Sequence, residues 1–319
     1  MKYLSDQNRT CFQYESGLYA NTSGTRQWIG LVQDHSLEPN TNVIQVRYQG
    51  STDRNVNDFA DGNREWSGTL SYYPQDWKFL GFAIGSVQDL TGSHIFTETN
   101  TDDRVQTIPH QLSSFTTEDS KNLGHAGSNF IRTAIGCMID SYTLTATQGE
   151  LVSCEVNYLA QDATMTSGTI AALAPTTTKP FIFDNVKLYI PSGTLMSNTK
   201  ETTFSVNNNL EKGFYLNGSK VLNELLPMNR EYELTSTLDM DPSNARTIYD
   251  SYYIGGSTFN SLMTIWGSAG SLSVTMSGCK MTDMPIPSPL EGVQEQSFTF
   301  VPKNVSAVAY DSITKYNAW

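Results

Sequence analysis

The chain has 319 residues, of which 38% are hydrophobic, so it can form one large domain or two of ordinary size. Its net charge is −12, from 20 Lys and Arg against 32 Asp and Glu, which argues against specific binding to the outside of a nucleic acid, because neutralising phosphates requires clustered cations. No apolar run approaches the roughly 18 residues that span a bilayer, and the first residues lack a secretory signal, so no membrane association is expected.

The first half of the chain is predicted to contain strands followed by one helix. Residues 43–48 are rich in strand-forming side chains, and residues 66–72 mix polar and apolar side chains as a half-covered strand does. The helix is predicted to start at Pro74 and to end at Gly85, with Leu80 on its buried face.

Polar segments follow this helix and end the first half. Residues 86–109 include the acidic, turn-prone run 97–103 (TETNTDD), which predicts a surface loop or arm away from the core. Residues 162–181 are predicted to be a linker, because the run 172–178 (ALAPTTT) cannot continue a helix.

The second half shows the same order of elements. Strands are predicted at 232–238, 271–276 and 298–301, the last two from their alternation of apolar and polar residues. A helix is predicted from Pro242, with Asp241 as its N-cap and Asp239 near the positive end of its dipole. Its buried face would contain Ala245, Ile248, Tyr249 and Tyr252.

Several short motifs recur in the same order, which indicates two diverged copies of one module. Residues 62–66 (GNREW) recur as 228–232 (MNREY), 50–51 (GS) as 218–219, and 136–139 (GCMI) as 278–281 (GCKM). The copies are separated by about 168 positions before the helix and by 142 after it, so the first copy contains an insertion of about 26 residues within 86–109.

The expected fold is therefore mainly β (α+β), with two tandem modules that each combine a β-sandwich or barrel-forming sheet with one flanking helix. The expected parts are an N-terminal arm 1–13, a first module 14–161, a linker 162–181, a second module 182–302 and a C-terminal arm 303–319.

The second copy resembles the tail tube proteins of long-tailed bacteriophages, here in a two-module form. The resemblance is carried by 200–210 (KETTFSVNNNL), 229–240 (NREYELTSTLDM) and 278–289 (GCKMTDMPIPSP). It covers roughly residues 183–302, and the first copy shows the same resemblance more weakly.

This resemblance implies two packed sheets with a flanking helix, joined between subunits into one barrel around a lumen. Rings would stack into a tube through which the genome passes. Members with one module form hexameric rings, so two modules in one chain imply a trimer with pseudo-sixfold symmetry. The chain would then be a structural, non-enzymatic part of the virion tail, assembled in the host cytoplasm, with no cofactor and no metal.

The resemblance also implies partners and contact segments. Besides its own copies, the chain would meet sheath, tape-measure, terminator and baseplate proteins, while DNA passes without specific binding, since like charges weaken adsorption. The segments 38–62 and 211–228 would reach the next ring. The C-terminal aromatics Tyr316 and Trp319 are candidate ring-stacking contacts.

Two charged pairs are candidate inter-module salt bridges, because Arg64-Glu65 and Arg230-Glu231 recur at matched strand positions. The alternative is a solvated cross-strand ion pair worth tenths of a kcal/mol.

The remaining candidate features are interpreted as structural. The four histidines, His35, His94, His110 and His125, are expected in solvated loops, because no second ligand is near them in the sequence. Cys137 and Cys279 are expected to fill small buried positions on strands.

Other functions stay open from the sequence. One is another ring or baseplate component of a tail. A second is a tandem carbohydrate-binding module, in which exposed aromatics such as Trp77 or Trp266 would stack on sugars. An enzyme is disfavoured, because no set of residues supplies a nucleophile, a base and an orienting group.

Overall fold

A computed structural model describes residues 8–15, 18–19, 25–48, 55–98, 112–122, 129–170, 173, 176–240, 244–268, 270–286 and 294–313. Strands account for 62% and helices for 7% of the structure, which confirms the mainly β fold class.

The elements divide between the two copies. Copy one contains β1 (Arg9–Tyr14), β2 (Leu31–Val46), β3 (Asp58–Tyr73), α1 (Lys78–Ile84), β4 (Ser86–Leu90), β5 (Ser93–Thr97), β6 (Phe115–Lys121), β7 (Asn129–Thr147), β8 (Ser153–Ala160) and β9 (Asp162–Gly168). Copy two contains a 3-10 turn (Phe183–Asn185), β10 (Val186–Tyr189), β11 (Thr199–Asn207), β12 (Leu210–Gly213), β13 (Glu224–Pro227), β14 (Glu231–Asp239), α2 (Asn244–Ile248), a π-helical segment (Tyr249–Ile254), β15 (Phe259–Gly267), β16 (Gly270–Asp283), β17 (Glu295–Val301) and β18 (Asn304–Tyr310).

Each copy pairs its strands in the same order. The main sheet runs β2-β3-β8-β7 through copy one and continues as β11-β14-β17-β16 through copy two. A second sheet in copy one pairs β1-β6-β7-β9, and its counterpart in copy two pairs β10-β15-β16-β18. The register agrees as well, since Ile139 lies opposite Tyr158 as Met281 lies opposite Phe300.

One long strand in each copy crosses from one sheet to the other at a glycine. Gly136 and Gly278 have φ angles of 63° and 62°, a left-handed conformation that favours glycine. The next residues, Cys137 and Cys279, are fully buried, which confirms the prediction for both cysteines. A side chain at Gly136 would also collide with the ring of Tyr19, 2.8 Å from the ideal Cβ position.

The predicted strands are confirmed: residues 43–46 lie in β2, 66–72 in β3, 232–238 in β14, 271–276 in β16 and 298–301 in β17. The start of the first helix is corrected from Pro74 to Lys78, whose backbone N–H donates to the Asp76 carboxylate over 3.2 Å. Its six residues from Phe79 to Ile84 are buried, and it packs on β7. The predicted cap of the second helix lies outside the described residues.

Two segments predicted to be unstructured contain strands. The described start of the predicted linker is β9, which pairs with β7. The described part of the predicted C-terminal arm contains β18, which pairs with β16 and so is the counterpart of β9. The sequences of β9 and β18 are short and half polar. Each strand is stabilised by pairing with the edge of an existing sheet rather than by its own composition.

The prediction that the insertion of copy one is a surface loop or arm is also corrected in the part that the structure describes. Residues 86–97 are not a free loop but the hairpin β4–β5, and β5 pairs with β18 of copy two. Phe96 and Val87 are buried there, at 0% and 6% exposure. The polar run that suggested a loop begins only at Thr97.

We expect Phe96→Ala to lower the free energy of unfolding by about 3–5 kcal/mol, because it removes a fully buried ring at the contact between the copies. Urea unfolding followed by tryptophan fluorescence measures the change. A loss below about 1 kcal/mol would show that the hairpin is not packed as described, and Leu90→Ala, with Leu90 45% exposed, is the control.

Candidate assembly interface

The two modules are joined by a pair of strands. Residues 141–147 of β7 lie antiparallel to residues 201–207 of β11, so the main sheet runs unbroken from one module into the other. Leu144 lies opposite Phe204, and both side chains are 1% exposed. We call this strand pair and the polar contacts at its end the module junction.

An arginine and an asparagine of copy two close the junction at the end of α1. The Arg230 guanidinium donates from Nη1 to the carbonyl of Ile84 over 2.6 Å and from Nε to the Asn208 side-chain oxygen over 2.7 Å. The Asn208 amide donates to the carbonyls of Ala83 and Ile139 over 3.1 and 3.0 Å. The last carbonyls of a helix lack partners within it and carry partial negative charge, so a cation stabilises this end.

A hairpin of copy two packs against the first half of β3 in copy one. Pairing of β12 with β13 forms this hairpin, and the backbone N–H of Arg64 donates to the Lys220 carbonyl over 2.7 Å. Lys212 pairs with Glu65 at 2.7 Å, and Lys220 pairs with Asp61 at 3.3 Å. These ion pairs are partly or fully exposed, so each contributes at most about 1 kcal/mol.

The four residues proposed for inter-module salt bridges make different contacts. Glu65 makes an ion pair with the other module, whereas Arg230 reaches the other module through the backbone carbonyl of Ile84 rather than a carboxylate. Among the described residues, the side chains of Arg64 and Glu231 have no hydrogen-bond or ion-pair partner. Tyr316 and Trp319 lie outside the described residues.

Sequence reasoning missed Asn208. It stands in the run Asn207-Asn208-Asn209, where three identical side chains follow a strand and give no sign of which one is buried. Only Asn208 is inaccessible, at 1% exposure, and its amide is fully engaged.

A second contact between the copies involves a buried histidine. His94 on β5 is 0% exposed, its Nδ1 lies 2.6 Å from Asp89 Oδ1, and its Nε2 lies 3.2 Å from Asp311 Oδ1. The Val305 N–H donates to Glu98 nearby over 3.0 Å. These bonds fasten the hairpin of copy one to the last strand of copy two.

A second buried histidine belongs to a charged cluster in copy one. His35 Nε2 lies 2.7 Å from the Tyr158 hydroxyl, and Asp119, 0% exposed, pairs with Arg132 at 2.8 Å and Lys121 at 3.1 Å. Burial would raise the pKa of Asp119, but the His35 ring and these two cations bring its pKa well below its usual range. The expectation of solvated loop histidines is wrong for His35 and His94, because both lie on strands beside carboxylates.

Among the described strands, the main sheet has two open ends that correspond to the two sides of the module junction. Its first strand, β2, is the counterpart of β11, and its last strand, β16, is the counterpart of β7. Ile286, just after β16, is 46% exposed, although its counterpart Leu144 is 1% exposed within the junction. We call β2 and residues 280–286 the open edges.

The outer half of the β2–β3 hairpin exposes apolar side chains. Val43 and Ile44 are each 50% exposed and Phe59 is 62% exposed. The predicted loop 38–62 is thus largely a long hairpin, with β2 reaching Val46 and β3 beginning at Asp58. Val43 and Ile44 are consecutive strand residues, so apolar side chains are exposed on both faces of this hairpin.

The two tryptophans proposed for sugar stacking differ in their exposure. Trp77 is 2% exposed and stacks on Phe181 with ring centroids 4.8 Å apart, so its ring faces cannot meet a ligand. Trp266 is 61% exposed and lies beside Lys187 and Tyr189. Within the described residues, no group of three His, Cys, Asp or Glu side chains could hold a metal ion, and the helices there are too short for a membrane span.

Residues 36–302 match the model of a protein family described as phage tail tube protein. The match runs from within β2 to the residue after β17, so it includes both modules and their junction. No curated protein matches the chain. The family match confirms the resemblance carried by the motifs of copy two.

Proposed function

The chain belongs to the phage tail tube protein family, and we propose that three copies of it close into a ring and that such rings stack into the hollow tube through which the viral genome passes. Membership makes the chain a structural component of a phage tail and so of the virion. The ring, its stoichiometry and its role as a conduit are the proposal.

The observation that carries this proposal is the module junction together with the open edges. Within one chain, the counterpart pair β7 and β11 already shows how two modules bind side by side. The same chain presents β2 at one end of the sheet and β16 at the other, which are the two halves of a second junction. Because exposed sheet edges invite pairing, joining them between copies removes the edges and closes a barrel.

Three copies follow from six modules. Family members with one module form six-membered rings, and each chain here supplies two modules in one continuous sheet. The copies are not interchangeable, since β18 is covered by the β4–β5 hairpin whereas β9 pairs only with β7 among the described strands. The ring therefore has threefold symmetry with alternating modules.

The charge and the exposed hairpin support the stacking and the conduit. A net charge of −12 opposes adsorption of a polyanion, so DNA would pass without being held. The apolar hairpin of β2 and β3 is the segment that we assign to the next ring. Sheath, tape-measure, terminator and baseplate proteins are the further partners that this role requires, and assembly would take place in the host cytoplasm.

The mass of the ring tests the stoichiometry. We expect native mass spectrometry of released rings to give about 106 kDa, three times the 35.4 kDa of one chain, and negative-stain images of the concentrated protein to show long hollow filaments. A ring of about 212 kDa would contradict the equivalence of the two modules. Rings that never stack would favour a terminator or baseplate component instead.

A further inference from the structure

One arginine in the main sheet lacks the contact that its counterpart makes. Arg64 on β3 occupies the same position as Arg230, which directly precedes β14, because in each copy the arginine precedes Glu and a buried aromatic residue, Trp66 or Tyr232. The register agrees too, since Gly68 lies opposite Tyr158 and its counterpart Leu234 lies opposite Phe300, the counterpart of Tyr158. Arg230 binds the end of α1, whereas the Arg64 side chain is exposed and has no partner among the described residues.

The end of the second helix lacks the kind of contact that Arg230 makes with the end of α1. The π-helical segment packs on β16 as α1 packs on β7, and it ends at Ile254 and Gly255 as α1 ends at Ile84 and Gly85. Ile84 is 0% exposed in the module junction, but Ile254 is 65% exposed. Among the described residues, no side chain of copy one donates to the last carbonyls of this helical segment, although helix ends need donors.

We propose that Arg64 of one chain binds the end of the π-helical segment of a neighbouring copy. Arg64 donates to the last carbonyls of that segment, and the part of β2 and β3 beside Arg64 in the first chain covers Ile254 of the neighbouring copy. This inference rests on the proposed ring, and it names the residues that close each contact between chains. The partner is a second copy of this chain, because the chain's own module junction provides the template.

The contact has to form between chains. Arg64 lies on the second strand of the main sheet and the π-helical segment packs on the last, six strand spacings away, or roughly 29 Å along the sheet. The neighbouring Gly256 carbonyl already accepts from Lys280 Nζ, which leaves the carbonyls just before it for Arg64. Thr41 stands where copy two has Asn208, so Arg64 is without the amide that orients Arg230.

Arg64→Ala tests the contact in the full-length chain. We expect the concentration at which rings dissociate, measured by native mass spectrometry on serial dilution, to rise about tenfold or more, because a charged hydrogen bond is lost at each of the three contacts. Arg64→Lys should recover part of the loss, since the charge stays but the planar fork does not. Lys187→Ala, which removes an exposed strand cation elsewhere, should leave dissociation unchanged.

A cross-linking measurement separates this proposal from folding effects. The chain carrying Arg64→Cys and Ile254→Cys should give chain-to-chain adducts with a short bismaleimide, since the four natural cysteines are all buried. Rings of Arg64→Ala that dissociate as the wild type does, or assembled rings without chain-to-chain adducts, would overturn the contact. If the wild-type chain forms no rings at all, the proposed function fails instead.

Discussion

Replacing Ile286 with aspartate is expected to abolish ring formation while the single chain still folds. Ile286 is 46% exposed in the chain, so a carboxylate there stays hydrated before assembly. Its counterpart Leu144 is 1% exposed in the module junction, opposite Phe204. In the proposed ring the carboxylate would be buried without a cation, which costs several kcal/mol at each of three contacts.

Sedimentation velocity measures this outcome directly, because rings and single chains differ threefold in mass. Leu195→Asp is a matched control, since Leu195 has a similar exposure of 41% but lies in the turn before β11, away from the open edges. Rings that persist in Ile286→Asp and have the wild-type mass would refute the proposed pairing of β16 with β2. A far-UV spectrum unlike the wild type would mean that the variant fails to fold and that the milder Ile286→Ser should be measured.

Asp119→Asn is expected to lower the free energy of unfolding at pH 7 by about 3 kcal/mol or more. The Asp119 carboxylate is fully buried and neutralises Arg132 and Lys121, whereas an amide of the same shape leaves the half-buried Arg132 cation uncompensated. Urea unfolding at constant ionic strength gives the difference. Asp239→Asn removes one of the two exposed carboxylates on Lys200 and should cost less than about 1 kcal/mol.

The effect of Asp119 should also depend on pH with a definite sign. Its pKa in the folded chain lies well below the value of about 3.9 expected when unfolded, so its contribution is complete above that value. The contribution is lost as the pH falls through the folded pKa, because the unfolded chain takes up the proton first. The difference between wild type and Asp119→Asn should therefore persist at pH 5 and shrink below about pH 4. An equal difference at pH 3 would exclude the ionic explanation.

Local patterns in the sequence were enough to predict the fold class, the strands and the repetition. Alternating residues such as 271–276 predict a strand because side chains of a strand face two sides in turn. The recurrence of Gly136-Cys137 at Gly278-Cys279 reflects a bend that needs a left-handed residue followed by a small buried one. Such requirements involve neighbouring residues only, and so they are visible in the chain.

Other predictions went wrong where polar residues depend on distant partners. His35 and His94 were expected in solvent, but Asp119 lies 84 positions from His35, and Asp311, the second carboxylate beside His94 after Asp89, lies 217 positions from it. Strands β9 and β18 gain their stability from the edges that they join, so their own composition suggested a linker and an arm.

Spacing and alternation are properties of the chain alone, and they predicted two copies of a mainly β module, while the motifs of copy two carried the resemblance to tail tube proteins. The way one module binds the next depends on contacts that form only in the folded chain. Arg230 and Arg64 are equal in sequence, yet one reaches the carbonyl of Ile84 across the module junction and the other points to solvent. Every residue carries the same backbone carbonyl, so the sequence gives no sign of which carbonyl a side chain binds. Such a contact can be seen only in the folded chain.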